Sequence, residues 1–169
     1  MGLFSEEFEP KKEISFPHRR PTLSWEQLFE VCKKYRRDQQ IDENDHIILL
    51  NDVPNDKNWF GCVDATMKNY FVQTNDWDWY FGNSIDDRFP VTYEIVSWLL
   101  RSMMFQKQND IMDHVHEEPR GCMMDFCVDK TQIVLKMRTA DLCPECLGIL
   151  EKRDAIRTHL RQLFDIMDG

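Results

Sequence analysis

The stretch from Gly121 to Cys146, GCMMDFCVDKTQIVLKMRTADLCPEC, constrains the fold more than any other part of the chain. It sets Cys122-x4-Cys127 at one end and Cys143-Pro-Glu-Cys146 at the other, with an insert of hairpin length between them. Two close thiol pairs separated in this way read as a four-thiolate zinc site, with Cys122, Cys127, Cys143 and Cys146 as ligands. Zinc takes four soft or borderline donors in a tetrahedron, with Zn–S near ~2.3 Å. A Cys-Pro-Glu-Cys turn is tight enough for two sulfurs to reach one ion, whereas Cys122 to Cys127 is at the loose end of the usual range. The same four residues also admit two plainer readings, buried thiols or a pair of disulfides. Paired spacing in a chain whose N-terminus shows no secretion pattern favours the metal, and with it a cytoplasmic location. Gln132 to Met137, between the pairs, reads as a short strand or helix that returns the chain toward the first pair.

A length of 169 residues suffices for one domain with a sizeable core. We expect that domain over 22–169, behind an extended arm at 1–21 that carries Pro10, Pro17 and Pro21. With 42% hydrophobic and 12% aromatic residues the chain is a folded protein rather than a disordered tail. A formal net charge of -9 argues against a general nucleic-acid binder, although Arg19, Arg20, Lys33, Lys34, Arg36 and Arg37 form a local basic set. No run approaches the ~18 apolar residues that span a membrane. Cys32 and Cys62 stand alone and read as small buried hydrophobes.

The first helix is well marked. Ser24-x-x-Gln27 fits a capping box, Leu23 and Leu28 are placed as a staple, and Trp25, Leu28, Phe29, Cys32 and Tyr35 make one apolar stripe. Its basic C-terminal end suits the helix dipole without needing a ligand. His46–Leu50, Trp59–Val63 and Asn69–Thr74 read as strands, the last two joined across 64–68. In Asn75–Phe81 acceptor-bearing residues alternate with rings, which suits either a peptide or sugar site or a turn that tucks its aromatics into the core. A second helix is expected from just after Pro90, with Thr92 as cap, to about Phe105. It is apolar on most sides, with Glu94, Ser97 and Arg101 as a polar line. That line suits an active site or a structural pairing equally well. Residues 106–120 read as a polar connection with room for a further helical turn. Within it, His114 and His116 alternate near Cys122, either as ligands of a second metal, as hydrogen-bond partners of a zinc thiolate, or as exposed histidines. Leu147–Met167 reads as a closing helix.

These elements give an α+β fold, a small mixed sheet packed against helices, with a C-terminal four-cysteine zinc knuckle at 121–146. The order of elements resembles the zincin metallopeptidases, and the cysteine tail resembles the archaemetzincins, in which a Cys-x4-Cys and a Cys-x2-Cys pair follow the active helix. The resemblance implies a zincin-like domain in which Cys122, Cys127, Cys143 and Cys146 hold a structural zinc ion. It also implies His-Glu-x-x-His on the buried helix, and there the chain departs from the pattern. The best overlay is Tyr93-Glu94-Ile95-Val96-Ser97, which keeps the glutamate and replaces both histidines. Gly121 stands where a third histidine would precede the first cysteine. The expectation is therefore a degenerate, non-catalytic zinc-stabilised domain that acts by binding another protein. The alternative is an active metal-dependent hydrolase with Glu94 as its base and His114 or His116 on a second metal. A weaker alternative is a nucleic-acid-binding zinc protein.

Overall fold

The computed structural model describes residues 21–82, 86 and 88–152. Residues 1–20 of the arm expected at 1–21, and the far part of the expected closing helix, lie outside the described residues. The core is a three-stranded sheet of order β1-β3-β2, with β1 Ile47–Asn51, β2 Gly61–Val63 and β3 Asn69–Gln73. β1 runs parallel to β3 (Ile47 opposite Asn69), and β2 runs antiparallel to it (Cys62 opposite Phe71). β3 is buried along its whole length because both of its edges are paired and both of its faces are covered.

Alternation along β3 decides which helix covers which face. Phe71 meets Trp25 and Phe29 of α1 (Trp25–Asp38), with ring centroids 5.9 and 5.6 Å apart. Tyr70 faces the other way, toward Ser102 on α3 (Arg88–Met104). Ser24 and Gln27 close the expected capping box on α1, and Leu28, Phe29 and Cys32 are buried. Tyr35, also expected on the stripe, is instead 54% exposed. Helix α3 begins at Arg88, so Pro90 lies inside its first turn and Thr92 is not its cap. Proline is tolerated there since first-turn N–H groups have no partner within the helix.

Gly61 on β2 is where α3 comes closest. A Cβ at that position would lie 2.6 Å from Trp98 Nε1 and 2.9 Å from the Phe71 carbonyl oxygen. The acceptor-and-ring stretch forms a short helix α2, Trp77–Phe81, with Trp77 buried against Phe60 and Trp79 83% exposed. Helix α4, Gln108–His114, occupies the expected polar connection. A 3-10 turn at Lys130–Gln132 leads into α5, Ile133–Lys136, so the insert between the cysteine pairs is helical rather than a strand. Helix α6, Pro144–Glu151, starts at the second pair, with Pro144 in its first turn. Among the described residues, no helix is long and apolar enough to cross a membrane.

Candidate metal centre

The segment after α4 folds back on itself in two short bridges, His116 beside Asp125 and Cys122 beside Asp141. Backbone bonds set the register. His116 N–H donates to the Met124 carbonyl, Phe126 N–H to the His116 carbonyl, and Met123 N–H to the Asp141 carbonyl. The turn between needs Gly121, whose φ of +80° lies in the left-handed region that side chains with a Cβ disfavour. These bridges bring His116 and Cys122 against the N-terminus of α6, where Cys143 and Cys146 sit one turn apart.

The ligand atoms of His116, Cys122, Cys143 and Cys146 all lie within 4.8 Å of one another. His116 Nε2 is 3.4 Å from Cys146 Sγ and 3.8 Å from Cys143 Sγ. These four residues could hold a metal ion. Cys122 Sγ accepts the backbone N–H groups of Met124 and Cys143, at 3.4 and 3.3 Å. A hydrogen bond from the Cys146 thiol together with these amides pulls the Cys122 thiol down to about 5, despite burial. Cys146, which supplies that proton, is pushed up correspondingly. The neighbouring thiol and the two amides thus favour the anionic form of Cys122, the form in which a cysteine binds a metal.

Asp125 is the orienting residue. Its carboxylate is buried, accepts His116 Nδ1–H at 2.9 Å, and gathers the N–H groups of Arg120, Gly121 and Cys122 at 2.8, 2.9 and 3.0 Å. With the proton on Nδ1, Nε2 is the free lone pair and points at the three sulfurs. A carboxylate behind a ligating histidine is the usual device for fixing its tautomer.

The structure thus brings together three of the four expected cysteines and completes the set with His116. Cys127 is not in the group. Phe126 packs edge-on against Trp59, with centroids 4.7 Å apart, and carries the chain away from the site. Cys127 instead lines a cleft with Glu94 and Lys136, and burial pushes its thiol up to about 11. His114 is exposed, with Nδ1 on the Asp110 carbonyl and its ring on Phe105. Asp125 escaped the sequence reading. The available signal was an acidic residue three positions after a ligand cysteine and nine after His116.

The polar line on α3 ties this loop to the core. Ser97 Oγ donates to the Met123 carbonyl at 2.9 Å, and Arg101 donates to the same carbonyl and to that of Asp125. Tyr93 donates its hydroxyl to the Lys136 and Thr139 carbonyls, and burial followed by Glu94 raises its pKa, so it remains a neutral donor. Glu94 pairs with Lys136 at 2.5 Å with both side chains buried. Burial lowers the Lys136 pKa, and Glu94 opposes that shift.

Of the basic set, Arg36 is tied to the carbonyls of Asp42, Asp45 and Lys68, and Arg37 pairs with Glu30. Arg19 and Arg20 lie outside the described residues. Comparison with protein families, with curated proteins and with solved structures found no match for this chain.

Proposed function

We propose that this chain is a zinc-stabilised, non-catalytic domain that works by binding another protein. Zinc fits the donor set of three thiols and an imidazole, since structural zinc sites are commonly Cys3His. The spacing supports the same ion. Bonds of ~2.3 Å to sulfur and ~2.05 Å to nitrogen give N···S tetrahedron edges of about 3.5 Å; the two N···S separations in the structure are 3.4 and 3.8 Å. Four protein donors close the coordination shell and leave no position for water or substrate, which is the mark of a structural site. Thiols kept for a metal also suit a reducing compartment such as the cytoplasm.

The observation that carries the non-catalytic reading is the use made of α3. Tyr93, Glu94 and Ser97 occupy the overlay with the zincin signature, and each is engaged in fastening the metal loop or α5 to the helix. Glu94, the candidate base of the alternative hydrolase, has its carboxylate on Lys136. The degenerate zincin-like ancestry belongs to the same proposal. Its support is a small mixed sheet with an antiparallel edge strand and a buried helix followed by a cysteine-rich loop.

The test combines chelation with a hydrolysis assay. A strong chelator should remove one zinc per chain and abolish the folded circular-dichroism signal, and added zinc should restore it. Peptide and ester hydrolysis should stay at background, unchanged by Glu94→Gln. A second bound zinc, with hydrolysis that Glu94→Gln abolishes, would overturn the proposal.

A further inference from the structure

The sheet has two outer edges, and they differ. On β2 the edge is capped by Gln108, whose side chain donates to the Val63 carbonyl at 2.8 Å. On β1 it is bare. Ile47 N–H donates to the Lys68 carbonyl and the Asn51 carbonyl accepts Thr74 N–H, so residues 47, 49 and 51 turn their backbone groups toward β3. In a parallel ladder the residues between them face the other way. The N–H and C=O groups of Ile48 and Leu50 therefore point outward, and no described residue bonds to them. Leu50 is also 54% exposed, on the face it shares with Val72. Open strand edges are templates for pairing, and folded chains blunt them with lysine, proline, a bulge or a covering segment. Ile47–Asn51 contains no lysine or proline, and its register with β3 runs without a bulge. A covering segment is the device that remains.

Charge says what kind of segment fits. Glu43 and Asp45 precede the strand and Asp52 follows it; all three are exposed, and none pairs with a cation among the described residues. Asp42 adds to the first group, while Arg36 and Lys68, bonded to backbone carbonyls there, offset part of it. Beyond Asp52 comes Asp56, with Lys57 held over the Trp25 ring. A second copy of β1 laid antiparallel on this edge would bring the acidic start of one strand against the acidic end of the other, which like charges disfavour. A strand with basic ends meets opposite charge at both.

We infer that the outer edge of β1 takes up an extended segment of a partner protein, apolar at alternate positions and carrying Lys or Arg at both ends, a reading that rests on the protein-binding role proposed above and names its surface. Main-chain bonds to Ile48 and Leu50 hold the segment, and the flanking cations select it. The chain's own Ile14-Ser15-Phe16, with Lys11 and Lys12 before it and Arg19 and Arg20 after it, is a competitor in sequence. Its apolar run is short, and Pro17 closes it with a residue that has no N–H to give.

The probe is the peptide Lys-Lys-Val-Thr-Val-Thr-Val-Arg-Arg. Its controls are the same core with Glu at both ends, and the basic peptide methylated on its core backbone nitrogens. Each is titrated into the whole, metal-loaded chain and followed through the ¹H–¹⁵N signals and hydrogen exchange of the Ile48 and Leu50 amides. Saturable shifts and slowed exchange at those two amides with the basic peptide, and not with the methylated one, support the inference. The basic peptide should bind at least about tenfold more tightly than the acidic one at low ionic strength, a gap that salt narrows. Asp45→Lys/Asp52→Lys should reverse that order while leaving zinc content unchanged. Equal binding of the three peptides, shifts confined to other parts of the protein, or no saturable shift would overturn the inference. So would Ile48 and Leu50 amides that are protected before any peptide is added. Loss of that protection in Phe16→Asp would assign the edge to the chain's own arm, and loss on dilution would assign it to a second copy. None of these results alters the zinc stoichiometry or the hydrolysis assay that test the proposed function.

Discussion

Replacing Asp125 by Asn removes one charge and almost no volume, so its effect isolates the orienting role of the carboxylate. Asp125 accepts from His116 Nδ1, Arg120 N, Gly121 N and Cys122 N. An asparagine keeps one carbonyl oxygen and turns the other acceptor into a donor. If the oxygen stays with the loop amides, the new NH2 meets Nδ1–H of His116. Relief then requires the histidine proton to move to Nε2, the atom that must be bare to hold a metal. If the oxygen stays with His116 instead, the loop amides face a donor. Either way, at least one charge-assisted bond is lost, at about 1.5–3 kcal/mol. Loss of an outer-shell partner typically costs 10–100-fold in metal affinity. The expected result for Asp125→Asn is that loss, measured by competition with a chromophoric chelator, and a melting temperature lower by roughly 5–10 °C for a domain of this size. A variant that competes for zinc as well as the parent, and melts within a degree of it, would refute the reasoning.

Three further outcomes follow from the same geometry. Cys127→Ser should retain one zinc per chain, whereas His116→Ala should lose it, as measured by elemental analysis of the purified variants; the opposite pattern would restore a four-thiolate site. Lys136→Met leaves the Glu94 charge buried and unpaired, and should cost about 3–5 kcal/mol in denaturant melts. The double variant Lys136→Met/Glu94→Met should regain most of that loss, and a silent single variant would mean that the pair is not buried as described. Burial lowers Lys130 from 10.5 to about 8 by penalising its charged form. Near pH 8 about half of its amine is therefore neutral, against under about 1% for a lysine of ordinary pKa ~10.4. An amine-directed reagent at pH 8 should label Lys130 first by peptide mapping, and labelling no faster than that of the exposed lysines would contradict the shift.

Much of the frame was legible because it rests on local rules. The Ser24 capping box, the β2–β3 hairpin and the buried α3 all follow from patterns within a dozen residues of each other. Cys143-Pro-Glu-Cys146 likewise carries its own geometry, a tight turn followed by a helix start. Cys127 was misleading because sequence spacing does not report direction. The bridge between His116 and Asp125 turns Asp125 toward the site, and Phe126, held by Trp59, carries Cys127 into the cleft. That bridge is a tertiary event, and it is also what converts His116 from one of two alternating histidines into a member of the cluster. The roles of Glu94, Ser97 and Arg101 were illegible for the same reason. Their partners Lys136, Met123 and Asp125 lie more than twenty residues away, and only the folded loop brings them to α3.

X-ray absorption at the zinc edge of the purified, untreated protein tests the central claim most directly, because it reads ligand type and distance together. The account predicts one zinc per chain with three sulfur neighbours near ~2.3 Å and one nitrogen near ~2.0–2.1 Å. A shell of four sulfurs, or a chain that carries disulfides and no metal, would contradict it.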